Sequence, residues 1–474
     1  MTRRVSDDAP EPPEEGPEPP ENELGPRVAP PARPEAGSFA AADRTEPEQE
    51  PPVPTRAARV ARTLRGLAVD VTPLRRHRDF RLLWSGELVS ETGHQMTRVA
   101  VLFQVFALTH SAAAVGLTGL VELVFLVIAT VGGGSIVDRV DRRRLLLVTQ
   151  VAFAGASTLL LVNSLADRPP VWVIWLGAGL SAGISGIASP TRSAMTPRLV
   201  PRDLLPTALA LNQVMWNSTM IAGPALGGVV IGLLGVPWAY GIDVATYGAT
   251  IAAAVLMRPM PPTEESREGS AMAAIAQGFG YLRGRPVLQS TFTVDLVAMI
   301  FGMPRALFPV LAVTQFHGGP EIIGALLSAL AVGALAGALT AGWVARVRHQ
   351  GRAVLVAVGI WGACIVGFGL AGGNLTLALV FLALAGGADV ISAVFRGSIL
   401  QLSVPEHLRG RLSAIHILVV TGGPRLGDFE SGIVASAFTP FVSVLTGGLA
   451  CIAGVVVLGV AVPQFWRYHQ GGET

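Results

Sequence analysis

From Phe80 to about Val462 the chain alternates long apolar runs with short polar breaks. The runs are too continuous for half-buried strands and too apolar all round for helices of a soluble domain. Each reaches the roughly 20 residues that a helix needs to cross a bilayer. The pattern predicts spans at 80–108, 113–137, 145–165, 171–190, 207–234, 238–257, 287–315, 322–345, 353–371, 375–398, 412–437 and 440–462. The longest break, 258–286, divides these twelve spans into six and six. The expectation is an all-α integral membrane protein. Its six-helix halves are 80–257 and 287–462, with 258–286 as a central cytoplasmic loop and 463–474 as a short tail.

The halves repeat one another. Arg192 with Val200 and Pro201 matches Arg396 with Val404 and Pro405 at an offset of 204. Gly116 pairs with Gly324, Gly134 with Gly342 and Glu87 with Asp295 at 208, and Arg98 with Arg305 at one residue less. An even number of spans per half keeps the repeats parallel, which predicts a pseudo-two-fold axis along the membrane normal and a central site between the halves.

Charge sets the orientation. The breaks after even-numbered spans hold Arg139, Arg142 to Arg144, Arg198, Arg202, Arg258, Arg267, Arg283, Arg285, Arg346, Arg348, Arg352, Arg409 and Arg411, whereas those after odd spans hold only Arg168. Arginine collects on the cytoplasmic side, so both termini are expected in the cytoplasm of a cell with this protein in its inner or plasma membrane. Residues 1–54 carry 14 of the 34 prolines, and the first 50 residues have a net charge of −8. They read as a disordered acidic tail, inert or partner-recruiting. Residues 55–79 are basic, with Arg56, Arg59, Arg62 and Arg65 at steps of three. They read as an amphipathic segment on the membrane surface, or simply as the orienting charge of the first span.

Composition excludes several classes. Hydrophobic residues make up 51% and charged residues 14%, against about a quarter charged in soluble proteins. All 35 basic residues are Arg. Without Lys the chain has no Walker A loop and no Lys Schiff base. The two Cys, Cys364 and Cys451, lie in apolar runs, and no zinc spacing is present. No nucleic-acid partner, metal or cofactor is expected, and an enzyme lacks a convergent nucleophile, base or metal set.

Charge inside lipid is costly and usually faces a cavity. The first span carries Glu87, Glu91, His94, Gln95 and Arg98 at steps that place them on one helix face. The seventh adds Asp295 and Arg305; Glu122, Asp243, Asp389, Arg425, Asp428 and Glu430 are also within spans. The stripe predicts a polar central cavity with a proton-accepting carboxylate, Glu91 foremost, and Arg98 as a holder of anionic groups. Structural Glu–Arg pairing is the alternative. Trp84, Trp216, Trp238 and Trp361 fit either a cavity wall or an interfacial belt, with the belt favoured for Trp84 and Trp238.

The loop after the second span reads Gly134-Ser-Ile-Val-Asp138-Arg139-Val140-Asp141-Arg142-Arg143-Arg144. It resembles the loop signature of the major facilitator superfamily, with Asp141 in place of its second Gly. The stretches Arg78 to Trp84, Met96 to Ala100, Val404 to Arg411 and Gly427-Asp428 resemble the branch that includes the enterobactin exporter and actinobacterial multidrug efflux pumps. The resemblance covers about residues 75–465. It implies the major facilitator fold and a cytoplasmic charge gate at Asp138, Arg139 and Arg142; topology alone is the other reading of that loop. Gly223-Pro224-Ala225-Leu226-Gly227-Gly228 resembles the end of the antiporter signature of drug exporters, although Thr219 replaces its upstream Gly. Close helix packing accounts for the same residues.

These readings converge on a secondary active transporter, a monomer in the lipid bilayer. Its expected activity is proton-driven export of amphiphilic small molecules, a siderophore-like metabolite or drugs, by alternating access. An uptake permease of the same fold, or a membrane-embedded sensor or enzyme, is the alternative.

Overall fold

The structure, a computed structural model, describes residues 70–137, 140–261 and 271–469. The tail 1–54, most of the basic segment 55–79, and Asp138 and Arg139 of the predicted gate lie outside the described residues. Among the described residues every regular element is helical. The first half contains α1 (Arg78–Thr109), α2 (Ala112–Val137), α3 (Arg142–Ser164), α4 (Val171–Leu199), α5 (Leu205–Leu234) and α6 (Val236–Leu256). Next come α7 (Ala271–Leu282), α8 (Pro286–Phe301) and α9 (Phe308–Thr314). The chain continues through α10 (Pro320–Thr340), α11 (Gln350–Leu370), α12 (Leu375–Ser403), α13 (Glu406–Ala437) and α14 (Pro440–Ala461).

Helix ends follow local chemistry. Proline occupies the first turn of α5, α6, α8, α9, α10 and α14, where its missing N–H removes no helical hydrogen bond. Asn374 and Thr439 cap α12 and α14 by accepting from Leu377 N (3.0 Å) and Val442 N (3.1 Å). Asp141 caps α3, accepting from Arg144 N at 3.1 Å with a φ of −54°. The position where the family signature has glycine thus serves here as a helix cap with an ordinary backbone.

Among the described residues, ten helical segments are long and apolar enough to cross a membrane. The expected first and eleventh spans, α1 and α13, are 32 residues each but carry Glu87, Glu91 and Arg98, and Arg425, Asp428 and Glu430. Their ionisable residues lower the hydropathy that marks the other ten. The expected seventh span is broken. Gly302, Pro304 and a 3-10 turn at Arg305–Leu307 separate α8 from α9. Such irregular backbone is tolerated at membrane depth when protein covers it, and Ala306, Leu307 and Phe308 are fully buried. The expected fourth span runs on through Pro190 and Pro197 to Leu199. The predicted central loop contains α7, which packs on α13. In the predicted C-terminal tail a short helix, Pro463–Arg467, buries Phe465, and Tyr468 follows with a 2.9 Å hydrogen bond to Ser403.

In the first half α1 packs on α5 and α6, α2 on α4, and α3 on α4 and α6. In the second, α12 packs on α10 and α11, α11 on α14, and α8 on α13. Two seams join the halves: α2 with α13 and α5 with α10. Both depend on glycine. A Cβ on Gly432 would stand 2.6 Å from the Ala112 carbonyl, and one on Gly228 2.6 Å from that of Pro320. These contacts lie at the end of the bundle that carries the α1–α2 and α5–α6 connections.

Candidate functional site

A cavity of about 1150 Å³ lies between the halves, lined by residues from α1, α2, α4 and α5 and from α10 to α13. It is large enough for a drug-sized molecule, whose sites typically span about 300–1,000 Å³. The lining runs from Val115, near the start of α2 at Ala112, to Ala194, near the end of α4 at Leu199. The glycine seams close the halves together at the Val115 end, and among the described residues no close glycine contact joins them at the Ala194 end, which is the open one.

The first-span stripe forms one wall. Glu91, His94, Gln95 and Arg98 all line the cavity. Seven residues separate Glu91 from Arg98, and the Gln95 carboxamide bridges them. Its Nε2 donates to Glu91 Oε1 at 2.8 Å, and its Oε1 accepts from Arg98 Nη1 at 3.2 Å. Among the described residues Gln95 is the sole hydrogen-bond partner of Arg98, and no carboxylate lies within ion-pair distance of that guanidinium. His94 Nδ1 is 2.9 Å from the Tyr247 hydroxyl, and the ring packs edge-on against Phe153. Behind this wall Asp243 is fully buried, accepting from Thr97 at 2.7 Å and Ser157 at 2.6 Å. Trp216 and Trp361 also line the cavity, whereas Trp238 is 58% exposed on the outer surface.

Glu87 does not line the cavity. It is buried one turn along α1, accepting from Arg192 Nη1 at 2.9 Å and from Gln150 Nε2 at 3.3 Å. Its repeat partner Asp295 is likewise buried, ion-paired to Arg396. The two arginines and the two acids that mark the sequence repeat thus form the same α1–α4 and α8–α12 bridge in each half. Sequence reasoning placed these residues in register but did not pair them. The signal was available, since an acid and an arginine that both recur at nearly one offset are candidates to bond each other.

A second charge cluster occupies the closed end. Arg425 of α13 donates through Nε to Glu122 of α2 at 3.1 Å, joining the halves. Arg305, in the break between α8 and α9, donates to Asp428 of α13 at 2.9 Å. A Cβ on Gly119 would stand 2.9 Å from Asp428 Cβ, which places this cluster on the α2–α13 seam. Arg98 lies in the field of all four groups. Three guanidiniums against two carboxylates leave this cluster with one net positive charge.

The antiporter-like residues of α5 face two ways. A Cβ on Gly227 would stand 2.9 Å from Met96 Cα, and Gly223 similarly seats Gln95, both on α1. Gly228 faces α10 of the other half, while Pro224 lines the cavity. Of the predicted gate, Arg142 is described. Its Nη1 donates to Ala194 O at 3.5 Å and its N to Met260 O at 3.1 Å, tying the start of α3 to the end of α4 and to the segment after α6.

A two-halved helical membrane bundle around a charged central cavity is the architecture of a small-molecule transporter. The family of transmembrane secretion effectors matches residues 68–469, and the chain belongs to it, a family of major facilitator transporters and not of enzymes. The enterobactin exporter EntS of Citrobacter koseri is 27% identical over 418 residues, covering 85% of this chain and 96% of that protein. The same exporter of Salmonella typhi is also 27% identical, with the same coverage. Among solved structures, a POT family transporter in complex with a thioalcohol-conjugated peptide superposes with a TM-score of 0.65 at 11% identity, covering 82% of this chain and 96% of that one. A bacterial homologue of the iron transporter ferroportin gives 0.62 at 14% identity, covering 82% and 98%. The chain is a multi-pass membrane transporter with the major facilitator fold.

Proposed function

We propose that the protein is a proton-driven exporter of amphiphilic small molecules that works by alternating access. The observation that carries this is the cavity, with apolar walls, titratable side chains from both halves, and one end closed by seams of glycine and one ion pair. In this reading α1 and α13 also cross the membrane, making twelve spans. The arginine-rich connections lie at the open end, so the cavity faces the cytoplasm, and both termini are cytoplasmic. The six-helix halves 80–257 and 287–462 then rock about the central site, with Asp138, Arg139 and Arg142 as the lock that forms when the cytoplasmic end closes.

The chemistry of the lining defines the cargo. Arg98, which among the described residues pairs only with a neutral amide, offers donors to a carbonyl, phenolate or carboxylate. Glu91 offers an acceptor to a hydroxyl or amine. Aliphatic walls with Trp216 take an apolar body. The relatives' substrate, enterobactin, is the first probe. A proton gradient supplies the energy, with no cofactor, and the working unit is a monomer in lipid. A strain deleted for this gene, tested for siderophore secretion and drug susceptibility, checks the reading. Reduced secretion or increased susceptibility, restored by the wild-type gene but not by Arg98→Ala, is expected. Unchanged secretion and susceptibility would refute it.

A further inference from the structure

We propose that Glu91 and Asp389, one in each half, are twin proton-exchange sites at which hydrogen-bond donors of the exported molecule compete with protons. This rests on the exporter reading above. In each half one arginine serves two acids. Arg192 pairs with buried Glu87 at 2.9 Å and lies 4.0 Å from Glu91. Arg396 pairs with buried Asp295 and lies 3.8 Å from Asp389. Of the four acids, only Glu91 and Asp389 line the cavity.

The arrangement repeats in space but not residue for residue. Glu87 and Glu91 both come from α1, four residues apart, whereas Asp295 comes from α8 and Asp389 from α12. Two different sequence solutions thus place an arginine between one deep acid and one cavity acid. One guanidinium neutralises one carboxylate. When both acids are ionised, each half carries one uncompensated negative charge on the cavity surface.

Among the described residues no other cation lies within ion-pair distance of either acid. Around Glu91 the ionisable groups are Glu87, His94 and Arg98 of α1, Arg192 of α4, and Asp243 and Tyr247 of α6; α5 has no ionisable residue. Arg98 is held off by Gln95. Around Asp389 they are Asp295 of α8 and Arg396 of its own helix, with His416 of α13 near Arg396. In α10 the only ionisable residue is Glu321, in its first turn, and α11 has Cys364 and, in its first turn, Arg352.

An uncompensated carboxylate is tolerated while water reaches it and is costly once the cavity closes at both ends. Closure therefore requires a partner on each acid, either a proton or a donor group of the cargo. An empty return carries protons on both acids, and a loaded passage carries donors in their place. Each acid releases its proton to the inner solution as a cargo donor binds, and takes one from the outer solution as that donor leaves. About two protons enter per molecule exported, and cargo and proton weaken each other's binding.

The experiment uses full-length protein in nanodiscs without cargo. Infrared difference spectra between pH 9 and pH 5 read the C=O stretch of neutral carboxyls. Glu91→Gln and Asp389→Asn should each remove a comparable part of the wild-type band, the double variant should remove both parts, and Asp389→Glu should restore the second. Enterobactin added at intermediate pH should release protons from wild type, and about half as many from each single variant. An Asp389→Asn band equal to wild type overturns the twin-site proposal, as does proton release unchanged in that variant. Bands that behave as expected, with no enterobactin transport in vesicles, overturn the exporter reading and leave the two carboxyls as proton sites.

Discussion

The Glu122–Arg425 ion pair makes a quantitative test of the closed end. It joins α2 to α13 at 3.1 Å, with side chains 23% and 20% exposed. At an effective dielectric constant of about 20, the attraction at that distance is about 5 kcal/mol. Desolvation of the two groups offsets most of it, leaving about 1–2 kcal/mol that exists only while this end is shut. Glu122→Gln removes the charge and keeps the shape. It should shift the equilibrium toward the state open at this end by about 5- to 30-fold. The two native cysteines are buried, so a background lacking them can carry one reporter, Leu102→Cys, at the closed limit of the cavity. A membrane-impermeant thiol reagent added to intact cells should label this reporter faster in Glu122→Gln by that factor, and the exchanged pair Glu122→Arg with Arg425→Glu should return labelling toward wild type. A labelling rate unchanged by Glu122→Gln would show that the pair does not hold this end shut.

Three further outcomes are expected. Arg396→Gln leaves Asp295 buried without its counter-charge and should destabilise the second half by about 3–5 kcal/mol, read as a lowered melting temperature in detergent, whereas Arg396→Gln with Asp295→Asn should recover much of the loss. Arg98→Ala removes a charged donor worth about 1.5–3 kcal/mol and should weaken binding of cargo with anionic groups by roughly 10- to 100-fold, measured by tryptophan quenching, with neutral cargo less affected. Protease added to intact cells should leave residues 1–54 uncut, while inside-out vesicles should lose them.

Much of the fold was legible because lipid imposes a simple rule: a spanning helix must be long and apolar, and most boundaries follow from that. The departures have local causes. Ionisable residues in α1 and α13 lower their hydropathy, Gly302 and Pro304 break the expected seventh span, and α4 continues through two prolines. The site was legible in part. Helical spacing placed Glu91, His94, Gln95 and Arg98 on one face, and all four line the cavity. Helical spacing could not show that Glu87 turns to Arg192 while Glu91 stays at the cavity surface, because that division depends on how α4 packs on α1. Nor could one helix reveal the seam pair Glu122–Arg425, whose members are 303 residues apart. The α5 motif was ambiguous for a related reason. Gly223 and Gly227 face α1 while Gly228 faces α10, so one stretch serves packing both within a half and between halves.

The most direct measurement of the central claim is transport by purified protein in proteoliposomes under an imposed pH gradient. With an acidic lumen, molecules inserted with their cytoplasmic face outward should accumulate enterobactin inside the vesicles. A protonophore or Glu91→Gln should abolish that accumulation, and the cargo should be recovered chemically unchanged. Accumulation that ignores the gradient, or that requires a gradient of the opposite sign, would contradict proton-driven export.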